Sequence, residues 1–483
     1  MKILMVASEA APYAKTGGLA DVLGSLPAAL VGLGEEVAVV LPKYHSVSAP
    51  DARRIWDDLT VQAGIHRISV AIDETFLNGV RYLLVDCPAL YDRVGNIYAH
   101  ADNHVRYAVL CHAARGIARL IFRPHIVHAH DWQAGLLAPF LRVNFAMDPV
   151  LIGTRCVFTI HNLGYQGNFP APMAAELGIG PSLFHPAGLE FWGDISFMKA
   201  GIVWADAVTT VSPTYAREIQ TPAYGFGMDG VLRAHTAKLS GILNGVDYSI
   251  WNPETDPFLE AHFSSTDLSG KLACKRALLE EMLLPDRLTC PLIGIVSRFA
   301  EQKGFDLLAG IAPWLMAQDA ALMVLGSGDG HTETMFRGLA ASHPDKVAAF
   351  IGYNDGLAHR IEAGCDMFLM PSRYEPCGLN QIYSLRYGTS PIVRATGGLD
   401  DTVDRSCGFK FRDFTPASLQ GAIAEALAAF RGRDNWTQRM LRGMSRDFSW
   451  DASAKAYQRL YRGTVAQAVQ PAASPVEATF RRP

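Results

Sequence analysis

A two-domain α/β chain, with two Rossmann-like domains facing a central cleft, is what this sequence predicts, and three observations carry the prediction. Short apolar, β-branched bursts recur along the chain and alternate with longer helix-compatible stretches. Two glycine-bearing segments with a charged side chain, KTGGLAD at 15–21 and EPCGLNQ at 375–381, stand where a strand feeds a helix. That junction is where phosphates and sugars bind in such folds. Finally, 483 residues at 49% hydrophobic composition exceed what one core holds, since single cores stop growing at roughly 250 to 300 residues.

In the first half the strand-like bursts are KILMVAS, EVAVVLP, RYLLVDCP, PHIVHAHD, RCVFTIHN and AVTTVSP. The second half continues with PLIGIVSR, AALMVLGSGD, KVAAFIGY, DMFLMPSR and SPIVRAT. Each is closed by Gly, Pro, Ser, Asn or Asp, the pattern of buried parallel strands. The turn-rich stretch LNGVDYSIWNPETDP, 243–257, has no periodicity and reads as a hinge. The expected domains are therefore 1–245 and 246–450. Residues 451–465 read as a helix packing back on the first domain, and the Ala- and Pro-rich 466–483 as a disordered tail. No repeat of solenoid period is present.

Composition excludes several classes of function. Forty-three basic against forty-seven acidic side chains give a net charge of −4, which does not select for nucleic acid and leaves a neutral polymer or a small molecule as partner. The first residues are too briefly apolar for a signal peptide, and no run approaches the roughly 20 residues of a membrane span, so a soluble, cytoplasmic protein is expected. The eight cysteines form no CxxC pair, against a zinc ribbon, a redox dithiol or a disulfide framework.

The candidate functional residues fall just past strand ends. In KTGGLAD, Gly17 and Gly18 permit a tight turn, the helix start offers free N–H groups, and Lys15 adds a point charge suited to phosphate. A plain glycine turn with a solvated lysine reads the same. In SRFAEQKG, Arg298 and Lys303 are two cations able to neutralise a diphosphate leaving group without a metal ion, and no DxD-type pair stands at a strand end. In EPCGLNQ, Gly378, Leu379 and Asn380 are expected as the first helical residues, with Glu375 beside that positive end to accept from sugar hydroxyls. Cys377 has no base beside it and reads as a packing residue of the site. HAHDW sets His128 and His130 on one face of a strand. Such a pair can ligate zinc, or His128 can be a core residue with His130 and Asp131 contacting sugar. In TIHN, His161 is a donor to a hydroxyl, or Asn162 caps a following helix.

Together KTGGLADV, HAHDW, TIHNLGYQG, NGVD, SRFAEQKG, GSGD, PSRYEPCGLNQIYSLRYG and TGGLDDTV resemble the bacterial glycogen synthase and plant starch synthase family, from near the first residue to about Tyr461. The resemblance implies a GT-B glycosyltransferase. Such an enzyme moves glucose from ADP-glucose to the non-reducing end of an α-1,4-glucan such as glycogen, retaining configuration and using no metal or other cofactor. It also implies that Lys15, Arg298 and Lys303 hold the diphosphate, with Gly17 and Gly18 assisting and Asp21 near the nucleotide. Tyr353 would stack on adenine. His161, Asn244, Glu375 and Cys377 would line the glucose pocket, with Asp131 close to donor sugar and acceptor.

Two departures bear on this. Many other retaining GT-B families carry a second glutamate eight residues after the first, and Tyr383 stands there, as it does in the synthase group. Asp400 replaces a residue that is usually small, and the stretch from Asp404 to Phe411 is shorter than usual. Retention is commonly achieved with a carboxylate nucleophile, and neither Asp131 nor Glu375 declares itself as one. The resemblance implies instead a front-face displacement, with the backbone carbonyl near His161 stabilising the reacting centre. Other readings of the same residues are a nucleotide-sugar epimerase, a UDP-sugar transferase, a zinc hydrolase built on His128 and His130, and a catalytically silent glucan-binding protein.

Overall fold

Each expected apolar burst forms a strand in the computed structural model, which describes residues 1–286 and 288–467. In the first half these are β1 (Lys2–Val6), β2 (Glu36–Pro42), β3 (Arg53–Ala63), β4 (His66–Leu77), β5 (Val80–Asp86), β6 (Ile126–His130) and β7 (Arg155–Ile160). There follow the short β8 (Asn168–Phe169), β9 (Glu190–Phe191) and β10 (Asp194–Ser196), then β11 (Ala207–Thr210) and β12 (Leu239–Gly241). The second half holds β13 (Leu292–Phe299), β14 (Ala321–Gly328), β15 (Val347–Ile351), β16 (Met367–Met370), β17 (Ser390–Arg394) and β18 (Phe409–Phe411).

Among the described residues the strands make three sheets: β12-β11-β7-β6-β1-β2-β5-β4-β3, the small β8-β10-β9, and β15-β14-β13-β16-β17-β18. Alternate residues explain why the two large sheets are covered on both faces. In β1, Leu4 and Val6 join one apolar cluster while Ile3 and Met5 join another. In β14, Leu322 and Val324 face one cluster, Ala321, Met323 and Leu325 the other. Strands apolar on both faces are what a parallel sheet between two helical layers requires.

The sheet is not wholly parallel, as β3, β4 and β5 pair antiparallel. Strand β3 alternates buried Leu59, Val61 and Ala63 with exposed Asp58, Thr60 and Gln62, the period of a half-buried strand. A search for continuous apolar bursts passes over it.

In each large sheet the chain reverses its direction of travel at one strand pair. From β1 it moves to β2 on one side and β6 lies on the other; from β13 it moves to β14, with β16 opposite. Crevices at such switch points, beyond the carboxyl ends of the strands, are where open α/β sheets bind ligands. The segments KTGGLAD and HAHDW leave β1 and β6, and SRFAEQKG and EPCGLNQ leave β13 and β16.

The chain crosses between the halves twice. The outward crossing, 243–257, packs on the second half, where the indole of Trp251 lies between the rings of His359 (3.7 Å) and Tyr383 (3.8 Å). The return crossing runs alongside it: Val246 N donates to the Phe448 carbonyl at 2.8 Å. The helix Trp450–Gln467 then lays Trp450, Ala454, Tyr457 and Tyr461 against Leu19, Val22 and Leu26 of the helix Gly18–Gly32. That helix includes 466 and 467; the rest of the expected tail lies outside the described residues.

Candidate active site

The turn after β1 is organised by a residue the sequence reading passed over. Glu9, nearly buried, accepts from Thr16 N, Thr16 Oγ1 (2.7 Å), Gly17 N (3.2 Å) and Tyr98 OH. Neither Gly17 nor Gly18 has a positive φ, so the expected tight glycine turn is not what calls for glycine. A Cβ on either would meet nothing within 4 Å, which leaves open space over the first turn of the helix Gly18–Gly32. Backbone can be approached closely there. Lys15 Nζ is 2.6 Å from Asp21 Oδ1, and Tyr353 and Asp355 of the second half lie within electrostatic range. Burial lowers the Lys15 pKa, but these acidic neighbours outweigh it and the net shift is upward. Tyr353 is 82% exposed, its ring free for stacking, with its hydroxyl 3.2 Å from Asp355.

The crevice after β6 and β7 is made of groups held neutral by burial. His130 Nδ1 and His161 Nε2 are hydrogen-bonded at 3.0 Å, and the His128 and His130 rings are in tilted contact at 3.9 Å. Burial lowers the pKa of His128 and His161 to about 3, and that of His130 well down. His128 bonds Tyr461 OH (2.8 Å) and Thr159 Oγ1 (2.6 Å) through its two nitrogens, so the zinc reading loses its first ligand to an internal network. Among the described residues no three His, Cys, Asp or Glu side chains are grouped to hold a metal ion. Tyr461 belongs to the returning helix, which therefore braces the site from beneath.

Asp131 has φ +55, a left-handed conformation rare for a residue with a side chain. Its Oδ1 accepts from His161 N at 2.7 Å and its carboxylate also accepts from the backbone of Asn162. Burial pushes its pKa up to about 7. It is thus a positioning residue that pins the exit of β7. Asn162 does not cap a helix; no helix begins there, and its Oδ1 accepts from Gly164 N (3.0 Å) in an Asx-type turn, while its side chain also hydrogen-bonds Tyr374 of the second half.

In the crevice after β13 and β16 the groups are charged. Lys303 Nζ lies 2.6 Å from Glu375 Oε2, and Ser372 Oγ donates to the same oxygen at 3.0 Å. Glu375 is 6% exposed. Arg298 is exposed, and among the described residues its side chain has no hydrogen bond or ion pair. The expected helix start is shifted: Gly378 (φ +71) and Leu379 precede the helix Asn380–Arg386. Asn380 Nδ2 is spent on the Val296 carbonyl (2.8 Å), tying that helix to β13. Gln381 braces the loop by donating to Cys377 O (3.1 Å) and Gly378 O (3.0 Å). Cys377 is buried, hydrogen-bonded by the backbone of Asn244, and its thiol is pushed up to about 12, which removes it as a nucleophile. Asn244 Oδ1 is buried without a partner, a free acceptor facing this cluster.

Side chains clasp the two halves together beside the site. Asp401 accepts from Thr214 N (2.9 Å) and Oγ1 (2.6 Å), at the start of the helix Pro213–Glu218. Glu218, at the end of that helix, accepts in return from Thr396 Oγ1 (2.9 Å) and Gly397 N (3.0 Å). A Cβ on Gly397 would run into the Glu375 carbonyl, so this clasp sits directly on the loop that carries Glu375. Asp400, the departure noted above, pairs with Lys410 and lies within electrostatic range of Glu218.

Two Rossmann-like halves, each offering a switch-point crevice to the other, with the cations Lys15, Arg298 and Lys303 and the buried imidazoles of His130 and His161 set around it, define a two-domain glycosyltransferase. Residues 2–234 match the family described as the starch synthase catalytic domain, and residues 286–440 the glycosyl transferases group 1. A glycogen synthase of Anaeromyxobacter sp. (strain Fw109-5) is 49% identical over 96% of this chain and 100% of its own length. One from Koribacter versatilis (strain Ellin345) is 45% identical over 95% and 98%. The catalytic domain of Starch Synthase IV from Arabidopsis thaliana, solved bound to ADP and acarbose, superposes with a TM-score of 0.89 at 32% identity, covering 96% of this chain and 99% of that one. The chain belongs to the glycogen and starch synthase family of glycosyltransferases.

Proposed function

We propose that this chain is a glycogen synthase that transfers glucose from ADP-glucose to the non-reducing end of an α-1,4-glucan, retaining the α configuration and releasing ADP. The observation that carries the reading is the pairing of Lys303 with Glu375 beside the exposed Arg298, opposite Lys15 and the open helix start after Gly17. Arg298 and Lys303 supply fixed positive charge where the leaving diphosphate gathers negative charge, which is the role a metal ion takes in other transferases. Glu375 and Asn244 Oδ1 accept from glucose hydroxyls, and Tyr353 offers its exposed ring to the base. The neutral His161, held by Asp131 through its backbone and by His130 through its ring, donates to the sugar without adding a charge that would oppose an oxocarbenium-like centre.

Among the described residues, the two candidate carboxylates are both engaged, Asp131 by two backbone groups and Glu375 by Lys303 and Ser372, which speaks against either as a nucleophile. Retention is therefore assigned to front-face displacement, with the departing phosphate taking the proton of the incoming hydroxyl. Among the described residues no helix is long and apolar enough to cross a membrane, and the reading places the enzyme in the cytoplasm beside its donor. The test is incubation with glycogen and either ADP-glucose or UDP-glucose, with and without a chelator, following nucleotide release and incorporated glucose together. Equal nucleotide release and incorporation from ADP-glucose, insensitive to chelation, is expected. Nucleotide release without incorporation would show a hydrolase or epimerase instead.

A further inference from the structure

Three exposed aromatic side chains stand beside the cleft and take no part in the site described so far: Tyr165 (56% exposed), Phe226 (41%) and Trp192 (83%). They are continuous with it. The Phe226 ring meets Tyr374 edge-on at 5.2 Å, and Tyr374 immediately precedes Glu375. Gly227, next along the chain, lies against the indole, since a Cβ there would stand 3.4 Å from Trp192 Nε1. A row thus runs outward from the Glu375 loop through Tyr374 and Phe226 to Trp192.

The end of the row is built at a cost. Trp192 and Gly193 form the two-residue connection of the β9–β10 hairpin, with φ +54 and +88. Two positive φ values are the requirement of a type I′ turn, for which Asn-Gly is the favoured pair. A tryptophan in the first position bears backbone strain while most of its apolar surface remains in water. Beside the rings lie uncharged amides: Gln166 Nε2 donates to Phe226 O at 3.0 Å and Gln166 Oε1 accepts from Asn168 at 3.1 Å. Flat apolar faces match the ring face of a sugar, and the amides beside Phe226, together with the Glu190 carboxylate that accepts from Gly193 N beside Trp192, can meet its hydroxyl edge.

We propose that this row is a docking shelf for an α-glucan chain, holding glucose units behind the one that reacts, with Trp192 as its outer platform. The inference rests on the transferase reading above. The test compares glycogen with maltotriose as acceptor, because only a long chain reaches the outer platform. Trp192→Asn removes the ring and suits the turn, so folding is retained. The ratio of the KM for glycogen to the KM for maltotriose should rise about tenfold, the worth of one aromatic contact. Trp192→Tyr, which keeps a ring, should recover most of the wild-type ratio. If the wild type extends both acceptors and Trp192→Asn leaves the ratio within twofold, the shelf is wrong and the transferase reading stands. If the wild type extends neither, that reading fails and the shelf with it.

Discussion

The crevices after β6–β7 and after β13–β16 solve opposite problems. The one after β6 and β7 encloses three imidazoles and a carboxylate and keeps the imidazoles uncharged by burying them. The one after β13 and β16 keeps formal charges, pairing Lys303 with Glu375 and leaving Arg298 exposed. On the proposed function, the difference divides transfer in two: charge is fixed where the leaving group would gather it, and neutrality is enforced where the sugar would turn cationic.

Breaking the charged side should have the largest effect. Lys303→Ala removes a cation from the leaving group, expected to cost roughly 10²- to 10³-fold in turnover. It also strands a nearly buried Glu375, for about 3 kcal/mol of stability. Glu375→Gln breaks the same pair, so the double variant should lose less stability than the two single losses added, by about 1 kcal/mol or more in denaturant titrations. Strict additivity would show that the pair does not operate as a unit.

The clasp comes next. Asp401→Ala deletes both bonds to Thr214, and hydrogen bonds to a charged group are worth about 1.5 to 3 kcal/mol each. If the clasp favours the closed arrangement, ADP should bind about tenfold more weakly and solution scattering should report a larger radius of gyration. Unaltered scattering and affinity would make it a passive contact.

The neutral side is sharpened by pH, with the smallest effect. Below about pH 6.5 the unfolded chain protonates these imidazoles, while His128 and His161 resist protonation until about pH 3 when folded. Stability should therefore fall on acidification through that window, by up to about 1.4 kcal/mol per pH unit for each. Asp131 works the other way. Its pKa is up at about 7 in the folded state, so its contribution is present in acid and is lost as pH rises from about 4 to about 7. Asp131→Asn removes that partial compensation, and its urea midpoints should fall more steeply with acid than the wild type's; equal slopes would contradict the burial argument.

Most of this architecture is legible in the residues because parallel strands buried on both faces write themselves as unbroken apolar runs, such as EVAVVLP for β2 and DMFLMPSR for β16. Strand β3, with one face wet, does not, and the three short strands of the small sheet are too brief to show a period. The candidate residues were legible as strand-end chemistry. What escaped were their supports: Glu9 beneath Gly17, Tyr461 beneath His128, and Gln381 within the Glu375 loop. These partners lie from 3 to 333 residues away from the groups they hold, and local spacing carries no trace of the longer pairings. The outward crossing was visible in its turn residues, but the return crossing at Phe448 lacked such a signature.

Arg298→Ala is the cleanest probe of the central claim, because among the described residues this side chain has no hydrogen bond or ion pair and its removal breaks none within the protein. The measurement is single-turnover transfer from ADP-glucose to glycogen, alongside glycogen affinity. The account predicts a chemical step slowed by roughly 10²-fold or more with glycogen affinity retained. A step within a few fold of wild type, or a loss confined to glycogen binding, would contradict the assignment of leaving-group charge to this crevice.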